Sequence, residues 1–255
     1  MLQALIFDVD GTLSETEEIH RAAFNRAFEE AALGWAWDQS IYRKLLDVTG
    51  GKERIRYFIT DFAAPRTPAI PEEGAALTDW IAALHARKTA LYNKAVDEGA
   101  ARLRPGVEAL IRHAKSSGVR LAIATTTSLP NVESLIRATL GENGLSFFET
   151  IAAGDMVKAK KPASDVYDLA LERLGLAPEA GLALEDSVNG LLYARAARLP
   201  VVVTTSIYTS HQTFTDALIT VPDLDALAAD AARTPVAGAA IFKALQRIHH
   251  ENPDS

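Results

Sequence analysis

The chain has 255 residues, 48% of them apolar and 23% charged, with a formal net charge of -7 and a pI near 5.4. That balance belongs to a globular chain, and its excess of carboxylates argues against a nucleic-acid binder held by a basic footprint. No cysteine is present, so disulfides and thiolate metal sites are excluded and a reducing cytoplasm is compatible.

Residues Met1 to Asp8 carry neither a basic leader nor an apolar stretch of spanning length, which predicts a soluble, cytoplasmic protein without a membrane partner. Nothing in the pattern calls for an obligatory protein partner. Leu2–Phe7 reads as a short buried strand that ends in Asp8-Val9-Asp10-Gly11. Helical patterns then follow at Glu18–Ala32, Gln39–Leu46, Lys52–Asp61 and Leu77–Lys94, interrupted by a proline-containing loop at Ala64–Pro71. The chain returns near Arg104-Pro105-Gly106, and strands are expected at Val119–Ala124, Ile151–Ala153, Leu182–Leu184 and Val201–Val203. Helices alternate with them at Gly106–Ser117, Asn131–Leu140, Ala163–Leu174 and Ser187–Ala197. Asp223–Ser255 carries a weak helical pattern.

This alternation predicts an α/β protein: a Rossmann-like parallel sheet with an inserted α-helical cap domain. The expected core is 1–15 with 94–225, the cap 16–93, and a C-terminal helical segment, 226–255, packs on the core. In open parallel sheets ligands bind at the carboxyl ends of strands, so an inserted helical domain there is placed to select substrate.

Four strand ends carry chemistry. The first presents Asp8 and Asp10, with Gly11 allowing a sharp turn; the second ends in Thr125-Thr126-Thr127-Ser128, whose hydroxyls and amides could hold phosphate oxygens. Lys160-Lys161-Pro162 opens a helix, and Leu182–Leu184 ends in Glu185-Asp186-Ser187. Each has an ordinary alternative, as an acidic turn, a helix cap or a solvated pair. Acid, hydroxyl, cation and acid in that order at four strand ends are harder to explain so.

This order resembles the four motifs of the haloacid-dehalogenase superfamily over nearly the whole chain. The resemblance implies a Mg²⁺-dependent phosphatase in which Asp8 is the nucleophile and forms an aspartyl-phosphate, and Asp10 is the general acid/base. It also implies that Thr125 and Thr126 bind the phosphoryl group, that Lys161 neutralises it, and that Asp8, the Asp10 backbone carbonyl, Glu185 and Asp186 hold Mg²⁺. Hard oxygen ligands suit that ion.

In the helical segment, Glu17 and His20 lie three apart and share a helix face, available to sugar hydroxyls or to a solvated first turn. Gly50-Gly51-Lys52-Glu53-Arg54 places glycines and cations before a helix, either an anion site or an exposed helix junction. It is not a Walker A loop, because Glu53 follows Lys52. His85 and Lys88 line the same region or a solvated face. Residues 8–25, DVDGTLSETEEIHRAAFN, with 50–55, GGKERI, are similar to the CbbY-type phosphatases. That likeness implies a small phosphorylated sugar as substrate, xylulose-1,5-bisphosphate in particular, converted to xylulose-5-phosphate. Two rivals share the scaffold: a β-phosphoglucomutase-like mutase and a catalytically silent binding protein.

Overall fold

The computed structural model describes residues 1–62, 67, 70–157, 164–231 and 237–252. The chain divides into two compact units, Met1–Glu15 with Ala101–Ser255, and Thr16–Ala100.

In the first unit, β1 (Ala4–Phe7) is buried at every position, as a strand covered on both faces must be. It is joined by β2 (Arg120–Ala124), β3 (Thr150–Ala152), β4 (Gly181–Glu185), β5 (Val201–Thr204) and β6 (Ile219–Val221). All pairings are parallel and the order is β3-β2-β1-β4-β5-β6. The parallel α/β sheet expected from the alternating pattern is therefore present. β6 was not expected; it has three residues, none of them fully buried, so it carries no apolar run to recognise.

β1 occupies the middle of the sheet. Phe7 pairs with Ile123 of β2 on one side and with Leu184 of β4 on the other. That register brings three strand ends to within one residue of the same level, so the residues that follow them emerge close together.

The second unit carries α1 (Glu17–Glu30), α2 (Gln39–Leu45), α3 (Gly51–Thr60) and α4 (Gly74–Asp97) among its described residues. Helix α1 buries His20, Ala23, Phe24, Ala27 and Phe28, the spacing of one helical face, and places Glu17 and Glu18 in its first turn where the macrodipole favours them. An aromatic core holds the unit together: Trp37 packs against Phe24 at 4.6 Å, Phe28 at 4.8 Å and Phe58 at 5.4 Å between ring centroids. Helix α4 runs through the 93/94 boundary drawn from the sequence, because Val96 continues its buried stripe. The two units divide instead between Ala100 and Ala101, just past Gly99 at φ 88°.

The first unit continues with α5 (Val107–Ser116), α6 (Leu129–Leu140), α7 (Asp165–Leu174), α8 (Val188–Ala196) and α9 (Ala237–Glu251). Gly238 of α9 lies against the Ala109 carbonyl and the His113 side chain of α5, too close for any Cβ. The His113 and Phe242 rings pack nearby in a tilted arrangement, 5.6 Å between centroids. Gly238→Val should therefore push α9 off α5 and destabilise the protein by about 1–3 kcal/mol, the usual cost of overpacking, measured by urea denaturation.

Candidate active site

The strand register assembles the site. Asp8 leaves β1 with its N–H donating to the Leu184 carbonyl at 3.0 Å, which sets it beside the end of β4. Glu185 closes β4 and Asp186 follows, both nearly fully buried. One oxygen from each of Asp8, Glu185 and Asp186 lies within 4.8 Å of the others, a cluster able to hold a metal ion. Close anionic oxygens repel, and a divalent cation is the natural counter-charge.

The chain around these carboxylates is shaped to keep them there. Gly11, at φ 84°, has the Asp186 carboxylate where a Cβ would stand, and Gly190 of α8 has the Glu185 carboxylate in the same position. Tyr167 of α7 is buried and donates its hydroxyl to Glu185 Oε1. Burial, and then the negative charges of Glu185 and Asp8, push the Tyr167 phenol well above its usual pKa, so it stays a donor. Thr209 donates to Asp186 Oδ2 at 3.4 Å and is itself held by the Ser206 N–H at 2.9 Å.

Thr125, 2% exposed, emerges from β2 with its N–H on the Ala152 carbonyl at 3.0 Å, and its hydroxyl accepts from the Thr127 N–H at 3.3 Å. Thr126 follows it, half-buried, with Gly154 pressed against its carbonyl. Asp10 is also half-buried, in a turn bridged to Ser14. Lys161 lies outside the described residues, as does Lys160.

In the helical unit, the buried His20 and Lys88 meet, with Nζ 2.5 Å from His20 Nδ1. The His20 ring stacks on Tyr92 at 4.0 Å, and the Lys88 ammonium lies over Phe24 and Tyr92 at 4.7 and 5.2 Å. Lys88 is thus not on the solvated face that the sequence left open. Glu17 accepts from the Tyr42 hydroxyl at 2.6 Å. Arg54 donates to the Val48 carbonyl at 2.9 Å and to the Tyr42 hydroxyl at 3.5 Å. Gly50 opens α3 at φ 95° with the Glu53 carboxylate folded over it, and Gly51 has the half-buried His85 ring where a Cβ would be. Lys52 is exposed in the first turn.

Sequence reasoning missed Tyr167, Gly190 and Thr209, and it read Arg104 only as the point of return to the sheet. Arg104 is 8% exposed and donates to the carbonyls of Gly11, Thr204 (2.9 Å), Thr205 (2.6 Å) and Pro222 (2.8 Å), with an ion pair to Glu15 at 3.2 Å. It gathers the loops after β1, β5 and β6. Tyr167 sits on the apolar stripe of α7 with Val166, Ala170, Leu171 and Leu174, so its spacing reads as core and its hydroxyl gives no separate signal.

Residues 2–198 match the haloacid dehalogenase-like hydrolase family, and the chain belongs to it. It is an enzyme, a phosphatase of that family. It is 50% identical to Protein CbbY of Rhodobacter capsulatus over 90% of this chain and 97% of that protein. It is 48% identical to Protein CbbY of Cereibacter sphaeroides over 85% of this chain and 90% of that protein. A crystal structure of a CbbY mutant from Rhodobacter sphaeroides in complex with xylulose-1,5-bisphosphate superposes with a TM-score of 0.81. That structure is 46% identical to this chain and the match covers 88% of this chain and 95% of the other. No helix among the described residues is long and apolar enough to cross a membrane.

Gly11→Ala should displace the Asp186 carboxylate and strain a left-handed turn. A displacement of about 1 Å at reacting groups costs roughly 100-fold. Turnover should fall by about that factor while thermal unfolding shows a folded protein.

Proposed function

We propose that the protein is a Mg²⁺-dependent sugar-bisphosphate phosphatase that hydrolyses xylulose-1,5-bisphosphate to xylulose-5-phosphate and phosphate. The cluster of Asp8, Glu185 and Asp186 at two adjacent strand ends is the observation that carries this reading. The likeness to a CbbY chain crystallised with xylulose-1,5-bisphosphate supports the choice of substrate.

Asp8, Glu185, Asp186 and the Asp10 carbonyl are assigned to the ion. Mg²⁺, when bound, screens the negative charge that builds on the transferring phosphoryl group. An Asp8 carboxylate oxygen attacks phosphorus, the bond to the sugar oxygen breaks, and Asp10 gives that oxygen its proton. Water then attacks the aspartyl-phosphate, Asp10 takes the proton back, and inorganic phosphate leaves with Asp8 restored. The Thr125 hydroxyl and the amides of the following turn are assigned to the phosphoryl oxygens, and Lys161 to their charge.

Recognition of the sugar and its second phosphate is assigned to the helical unit. His20, Lys88, Glu17 and His85 supply polar groups for hydroxyls, and Gly50, Gly51, Lys52 and Arg54 form the basic start of α3. Arg54 is already engaged with the Val48 carbonyl, so the exposed Lys52 is the more available cation.

The test is steady-state phosphate release with Mg²⁺ from xylulose-1,5-bisphosphate, ribulose-1,5-bisphosphate and β-glucose-1-phosphate. The expected result is strong preference for the xylulose bisphosphate and no release by Asp8→Asn. Release by Asp8→Asn equal to wild type would remove the nucleophile assignment; interconversion of glucose phosphates without free phosphate would make the enzyme a mutase. Lys52→Ala should raise KM for the bisphosphate roughly tenfold, the scale of one charge-assisted hydrogen bond, and leave KM for a monophosphate little changed. Equal effects on both would remove the distal-phosphate role.

A further inference from the structure

Tyr167 takes no part in the two-step reaction, yet its hydroxyl is spent on a carboxylate of the site. It stands on α7 at 1% exposure and donates to Glu185 Oε1. The carboxylate is seated in the space that a Cβ on Gly190 would fill, with Oε2 nearest that position. The other oxygen, Oε2, accepts a long bond of 3.4 Å from the Asp186 N–H. Asp186 shows the same arrangement more weakly, with Thr209 on Oδ2 at 3.4 Å and Gly11 against the carboxylate. Two of the three clustered carboxylates thus have one oxygen engaged by a neutral hydroxyl.

That matters for which ion fits. Mg²⁺ demands a compact octahedron with oxygens at about 2.0–2.1 Å, and single oxygens from carboxylates suit it. Ca²⁺ takes 6–8 oxygens at about 2.3–2.6 Å and gains from carboxylates that turn both oxygens towards it. A carboxylate with one oxygen tied to a buried phenol and its body wedged on a glycine resists that turn.

We propose that Tyr167 is a positioning residue that restricts Glu185 to coordination through one oxygen and so makes the site discriminate against Ca²⁺ in favour of Mg²⁺. The proposal rests on the assignment of Glu185 as a metal ligand. Outer-shell partners of this kind typically change metal affinity by about 10–100-fold when removed.

The experiment is calorimetric titration of the chelator-treated full-length protein with Mg²⁺ and with Ca²⁺, for wild type, Tyr167→Phe and Glu185→Gln. Circular dichroism checks that each variant is folded; the phenyl ring of Tyr167→Phe keeps the packing of α7. The expected result is that Tyr167→Phe narrows the ratio of Mg²⁺ to Ca²⁺ affinity by about tenfold, while Glu185→Gln weakens both ions. An unchanged ratio in Tyr167→Phe, with Glu185→Gln still weakening binding, overturns the proposal and leaves the ligand assignment standing. Unaltered binding of both ions by Glu185→Gln overturns the ligand assignment and the proposal together.

Discussion

The parallel register of β1 between β2 and β4 is the constraint on which the site depends. Phe7 is level with both Ile123 and Leu184, and the Asp8 N–H completes the ladder on the Leu184 carbonyl. Within two residues of that level the three strands end, carrying Asp8, Thr125 and Glu185 to one edge. A parallel slip of one residue would send these side chains to the opposite face. Full burial of β1 on both sides makes such a slip expensive.

Carboxylates brought so close need restraint as well as a counter-charge. The structure supplies the restraint by omission and by donation. Gly11 and Gly190 omit the atoms that would displace Asp186 and Glu185, and Tyr167 and Thr209 donate to those same acids. Arg104 extends the restraint to the backbone. Its guanidinium gathers carbonyls from the loops after β1, β5 and β6, among them Gly11 next to Asp10. Buried carbonyls need partners, and one planar fork with five donors serves several at once.

The helical unit solves a different problem. Its core is aromatic, around Trp37, and its polar groups are held in small sets: His20 with Lys88 and Tyr92, Glu17 with Tyr42 and Arg54, and His85 against Gly51. Burying a lysine costs less when aromatic faces and an imidazole surround it. Such sets, fixed by packing, have little conformational freedom left to lose.

The sequence by itself determined the fold class, because alternating apolar runs and amphipathic helices are local signals that a parallel sheet must obey. It also singled out Asp8, Asp10, Thr125, Glu185 and Asp186, since strand ends in an open sheet are where ligands bind. The short edge strand Ile219–Val221 escaped it, having no buried run, and the division between units was placed too early because α4 continues to Asp97. Only the tertiary structure decided that Lys88 is buried against His20, that Tyr167 belongs to the acidic cluster and that Arg104 ties three loops. A tyrosine on a helix's apolar stripe and an arginine before a proline look the same in sequence whether or not they reach such partners. Those partners lie far along the chain, at Glu185 for Tyr167 and at Thr204, Thr205 and Pro222 for Arg104, and chain folding alone brings them within hydrogen-bonding distance.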